Sequence, residues 1–109
     1  MGDRANVLVK DGDSKVYLYT HWDGTDLPNT VKAALVRGVS RWDDGPYLAR
    51  IIFCEMVNGV EMETVGYGIS SVVGDGAGRV IELDVPAGEV RWNGNTASFS
   101  HFVTLNPRW

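Results

Sequence analysis

Two short segments concentrate the residue types that could do chemistry: Tyr19-Thr20-His21-Trp22-Asp23-Gly24 and Arg41-Trp42-Asp43-Asp44-Gly45. Each runs a Trp-Asp pair into glycine at the expected mouth of a helix, and chain reversals on a rigid scaffold are where binding residues concentrate. The indoles offer stacking platforms. Arg41 offers a planar fork for phosphate or carboxylate, and His21 an imidazole. For the carboxylates the simpler reading is structural: Asp44 as a helix cap, Asp43 as a charge that complements the helix dipole, and Trp42 as a residue stapled across that cap.

The sequence carries no recognised catalytic pattern. His21 and His101 lack metal-ligand spacing, so no metal site is expected. Cys54 lies in an apolar run beside Glu55, where a thiol is an inert packing residue rather than a nucleophile. Asp11, Asp13, Asp75 and Asp84 fall at turns or strand ends, where carboxylates bond their own backbone. Gly74-Asp75-Gly76-Ala77-Gly78 lacks the Lys-Ser/Thr of a phosphate-binding loop, and reads as a long hairpin loop between strands. No cofactor is expected.

A length of 109 residues suits one domain spanning 1–109 with an ordinary hydrophobic core. Ten basic against fourteen acidic residues give a net charge of −4, with the basic residues scattered, which disfavours a nucleic-acid polymer as partner. One cysteine and no long apolar stretch suggest a cytoplasmic chain with no membrane span. Asn6 stands where a myristoylation motif wants Ser or Thr, so the Met1-Gly2 opening is not taken as one.

These residues must be positioned by strands and helices. Ala5 to Lys10 and Lys15 to Thr20 are rich in β-branched and aromatic residues and flank Asp11-Gly12-Asp13-Ser14, the pattern of a β-hairpin with a four-residue loop. Pairing Lys10 with Lys15 puts Ala5, Val7, Val9, Val16 and Leu18 on one apolar face. Arg4, Asn6, Tyr17, Tyr19 and His21 then share the other, with Arg4 opposite His21. Helical spacing follows from Leu27 to Val39, after Thr25 or Asp26 as cap, and again from Asp44 through Met56 to Asn58-Gly59. The Ile-Ile-Phe-Cys run inside the second helix also suits a strand.

Strand signals return over Thr64 to Ser71, Arg79 to Val85 and Glu89 to Trp92, with a last edge strand from Thr96 to Leu105 after the Asn93-Gly94-Asn95 turn. Within the first of these, Gly66-Tyr67-Gly68 marks a bulge or a close backbone approach beside Trp22 or Trp42. The order β-β-α-α-β-β-β predicts an α+β fold, an antiparallel sheet of five or six strands with two helices on one face.

The segments Met1-Gly2-Asp3-Arg4-Ala5-Asn6-Val7, Val16 to Trp22, Arg41-Trp42-Asp43-Asp44, Tyr47 to Phe53 and Gly66-Tyr67-Gly68-Ile69-Ser70 resemble a family of small uncharacterised proteins of bacteria and their phages. The likeness covers roughly the first 90 residues. It implies a phage setting and no established activity.

The leading expectation is a non-catalytic binding protein for a small anionic, ring-containing, nucleotide-like molecule. Tyr19, Trp22 and Trp42 would stack on it, and Arg4, Arg41 and His21 would hold its charge. In a phage setting such a protein suits sequestration of a host nucleotide immune signal, by analogy. The rival is a protein-interaction module that inhibits a host protein through the same Tyr/Trp/Arg surface. A small hydrolase using His21 with Asp23 or Asp43 ranks third. The Tyr17-Tyr19 face and four tryptophans also predict a homodimer.

Overall fold

The first two strands, Ala5–Asp11 (β1) and Ser14–Thr20 (β2), pair antiparallel in the expected register, Val9 with Val16, Val7 with Leu18 and Asn6 with Tyr19. A computed structural model describes residues 2–74 and 77–109. The ladder runs on to Asp11 and Ser14, so the reversal is a two-residue turn with Gly12 at φ 64°, where a side chain would be strained. One apolar face decides this register, because a slip by one residue would turn Val7, Val9 and Leu18 to solvent.

Helix α1 (Leu27–Arg37) starts with Pro28 in its first turn and ends at Arg37, two residues before the expected Val39, with Gly38 as its C-cap. Val39–Arg41 instead form a short 3-10 turn. Helix α2 (Gly45–Met56) is capped as expected, with Asp44 Oδ1 accepting the Tyr47 N–H at 3.3 Å. The Ile-Ile-Phe-Cys run is therefore helical. It buries Leu48, Ile51, Ile52 and Met56 at helical spacing and leaves Cys54 on the outer face, exposed rather than packed. The pattern of the run concealed this, since three of its four residues are apolar and only the helical phase separates Cys54 from the core side.

The remaining strands are β3 (Tyr67–Ser70), β4 (Val80–Asp84), β5 (Glu89–Trp92) and β6 (Asn95–Ser98). They complete one six-stranded sheet in the order β3-β2-β1-β4-β5-β6. The fold is α+β and the sheet mostly antiparallel, but β1 and β4 run parallel, with Val7 beside Ile81 and Val9 beside Leu83. Alternation of Ile81, Leu83 and Val85 is the same for either direction, so nothing local announces the parallel pair. Nor is the 71–79 connection a hairpin loop, since β3 and β4 lie at different places in the sheet. Its Gly74 sits over Tyr19 and Asn6, while Asp75 and Gly76 lie outside the described residues.

The expected strand from Thr96 to Leu105 ends at Ser98, whose hydroxyl accepts the His101 N–H at 3.1 Å and opens a last short helix, α3 (Phe99–Phe102). Phe99 and Phe102, three apart, both turn into the core, where Phe102 meets Trp92 edge to face at 4.9 Å. Val7, Leu18, Ile81, Leu83 and Val90 line the helix-covered face of the sheet beneath Val31, Leu35, Leu48 and Ile52, all fully buried. No helix among the described residues is long and apolar enough to cross a membrane.

Candidate functional site

Strand alternation builds the site at the open end of the β1–β2 hairpin. Ala5 and Thr20 point into the core, so their neighbours Arg4 and His21 stand on the opposite face. The Asp3 N–H donates to the His21 carbonyl at 2.6 Å and carries the ladder one step further. The His21 ring is held on every side. Arg4 Nε–H donates to its Nδ1 at 3.2 Å, and the Tyr19 hydroxyl lies 3.1 Å from the same atom. Guanidinium nitrogens only donate, so Nδ1 is the acceptor here. The opposite edge faces Gly2, where a Cβ would stand 2.7 Å from Nε2.

Trp22 meets His21 edge to face with centroids 4.3 Å apart, yet remains 50% exposed. Its seat is Gly66. A Cβ on Gly66 would lie 1.9 Å from the indole nitrogen, and the backbone there sits at φ 95°. The expected close approach in Gly66-Tyr67-Gly68 is thus made to Trp22. The Gly66 carbonyl also accepts the His21 N–H at 2.8 Å.

Below the indole the chain is tied to the core by Thr20, which is fully buried and whose hydroxyl oxygen accepts the N–H of Trp22 (3.3 Å) and of Asp23 (3.1 Å). Tyr67 O–H donates to Asp23 Oδ2 at 2.5 Å. Burial first, then the bond to Asp23 and the charge of its carboxylate, pushes the Tyr67 hydroxyl up to about 12.

An ionic layer adjoins it. Asp3 pairs with Arg79 and accepts the backbone N–H of Thr25 at 3.0 Å and its hydroxyl at 2.9 Å. The bond from Arg79, followed by that from the Thr25 amide, holds the Asp3 carboxyl below its usual range. Arg79 also donates to the Arg4 carbonyl at 3.1 Å and lies over the Trp109 ring at 5.7 Å, while Trp109 Nε1–H donates to the Gly24 carbonyl at 2.7 Å.

The structure thus brings together Arg4, Tyr19, His21 and Trp22, and separates them from Arg41 and Trp42. The latter pair sits beside the closed end of the hairpin, where the Gly45 N–H donates to Asp11 at 3.3 Å, about 20 Å away along a seven-residue strand. Trp42 is turned inward. Its Nε1–H donates to the Leu35 carbonyl at 2.9 Å and its ring packs edge to face on Phe99 at 5.7 Å. Arg41 lies over the Tyr47 ring at 4.7 Å, with its guanidinium 4.0 Å from the Asp44 carboxylate. Trp92 and Trp109 also pack on the core, so the aromatic excess that predicts a homodimer is largely spent inside.

Catalytic geometry does not assemble around His21. Its Nδ1 faces two donors instead of an orienting carboxylate, Asp23 is engaged by Tyr67, and Asp43 lies at the far connection. Among the described residues no three His, Cys, Asp or Glu side chains are grouped as metal ligands. A cleft of about 490 Å³ opens beside the ionic layer, lined by Thr25, Asn29, Arg79, Asn106, Arg108 and Trp109, with Asp26 also at its wall. Sequence reasoning missed Asp3, Tyr67, Arg79 and Trp109. Their partners lie 76, 44, 76 and 85 residues away, beyond any local signal.

The chain matches no protein-family model, no curated protein and no solved structure. Function is therefore argued from the site alone.

Proposed function

We propose that the protein is a non-catalytic interaction module that binds another protein through the surface formed by Arg4, Tyr19, His21 and Trp22. The observation that carries this is the half-exposed Trp22 indole, locked between His21 and Gly66 instead of swinging free. A large ring fixed before binding loses little conformational freedom on contact, and Trp, Tyr and Arg are the residues on which interface energy concentrates.

A second reading keeps the small anionic, ring-containing ligand but moves it to the cleft lined by Arg79 and Arg108, where the Arg79 guanidinium lies over the Trp109 ring. Native mass spectrometry of protein purified from bacterial cells separates the two. A bound polypeptide lost in Trp22→Ala supports the first reading. A small mass lost in Arg108→Ala supports the second. Apo protein in which Trp22→Ala changes no captured partner overturns the interaction module.

A further inference from the structure

Among the described residues, β3 forms one edge of the sheet and pairs only with β2. The bond from His21 N–H to the Gly66 carbonyl sets the alternation of that ladder, so Gly66, Gly68 and Ser70 face β2 while the amides and carbonyls of Tyr67 and Ile69 point outward. The side chains around this edge are apolar and open: Ile69 is 63% exposed, Val65 64%, Val72 67% and Met62 91%. Natural edges are guarded against pairing by lysine, proline or inward charges. This one has none, for residues 64–73 contain no charged residue and no proline. The opposite edge is interrupted instead, since β6 passes straight into α3 after four residues.

We infer that β3 pairs antiparallel with β3 of a second copy of the chain, joining two six-stranded sheets into one. A two-fold axis at Gly68 lets Tyr67 and the partner's Ile69 exchange the outward N–H and C=O groups, stacking an aromatic ring on a β-branched side chain. The two Gly68 residues then meet on the axis, where the space a Cβ would fill is empty. A two-fold sets each edge against its own copy, which a chain of net charge −4 tolerates only through an uncharged segment. The antiparallel direction also sets Glu61 and Glu63 toward the other copy's Val72-Val73 end, away from their own counterparts. This seam lies on a different surface from the Tyr17-Tyr19 face and does not rest on the Trp22 reading.

Sedimentation velocity across micromolar concentrations tests it. The protein is expected to sediment as a dimer. Ile69→Lys should raise its dissociation constant about ten-fold or more by placing two ammonium groups at the seam. Ile69→Pro, which removes the outward N–H and leaves the β2 bonds in place, should do the same with an unchanged circular dichroism spectrum. Val36→Lys, at an exposed apolar position on α1, should remain dimeric, as should Trp22→Ala. A monomeric wild-type protein overturns the inference, as does a dimer that survives both Ile69 variants or is lost equally in Val36→Lys. A dimer without Trp22-dependent capture of a partner would leave this seam standing and remove the interaction module.

Discussion

Trp22-Asp23-Gly24 and Trp42-Asp43-Asp44-Gly45 are close to the same word, and the fold spends them in opposite ways. Trp42 follows a 3-10 turn on the helix-covered side, where the Leu35 carbonyl and the Phe99 ring take it inward. Trp22 leaves the end of a strand near the sheet edge, where its close neighbours are an imidazole and a glycine. The carboxylates diverge too, Asp44 capping a helix while Asp23 accepts a hydrogen bond from the Tyr67 hydroxyl. Arg41 is occupied by Asp44 and Tyr47, whereas Arg4 reaches His21. A motif of this length specifies which groups are present. The surrounding elements decide whether they hold the fold or face a partner.

The contrast can be broken most directly at the two indoles. Trp42→Ala is expected to cost about 3 kcal/mol in urea unfolding, from lost packing and an orphaned carbonyl at Leu35, while Trp22→Ala costs under about 1 kcal/mol. Equal losses would mean that the exposed indole is structural after all. Next in size is Gly66→Ala, for which a positive φ and the collision with Trp22 predict a loss of about 1–3 kcal/mol. Its Trp fluorescence should also shift as the indole is displaced. An unshifted spectrum would show that Gly66 does not seat the ring.

The carboxylates sharpen the contrast at smaller scale. Asp44→Ala should cost about 1 kcal/mol through the lost cap, whereas Asp43→Ala, exposed beside it, should stay within about 0.5 kcal/mol. For Asp23 the readout is alkaline. A raised Tyr67 value means that its contribution to stability is complete below about pH 10 and is lost as pH rises through about 12. Tyrosine absorbance should therefore show one late-ionising phenol that Tyr67→Phe removes and Asp23→Asn shifts down. Asp3 has the opposite sign. Held below its usual value, it stabilises above about pH 4, an effect lost on further acidification and absent in Arg79→Gln. The smallest expected change is at Cys54, which should react with a thiol reagent in the native protein without loss of stability.

How far these outcomes could be foreseen depends on the range of the contact that decides them. The hairpin register was legible because only one register gives Val7, Val9 and Leu18 a common face. The Asp44 cap and the tight approach at Gly66 were legible because local backbone chemistry demands those residue types. The parallel pairing of β1 with β4 was not, nor was the Asp3–Arg79 pair, because each joins segments whose own patterns are complete without the other. Two of the six sequence-nominated site residues, Arg41 and Trp42, failed to converge with the rest for the same reason. Trp22 and Trp42 look adjacent in role, but the hairpin sets them at its two ends. The turn from β6 into α3 had a readable sign, Ser98 followed by two phenylalanines at helical spacing, that the β propensity of the segment masked.

The one parallel contact in the sheet has a kinetic corollary. The β1–β2 hairpin and the β4-β5-β6 meander can each zip up through nearby turns, whereas β3 reaches β2 only across both long helices, with Tyr17 opposite Ser70. Hairpin and meander join only where β1 meets β4, a seam reinforced by Arg79 and the Arg4 carbonyl at a separation of 75 residues. Closing so long a loop is entropically expensive before any contact rewards it. Refolding should therefore wait on two long closures, β1 with β4 and β2 with β3, with the hairpin and the meander already formed and their apolar faces briefly open.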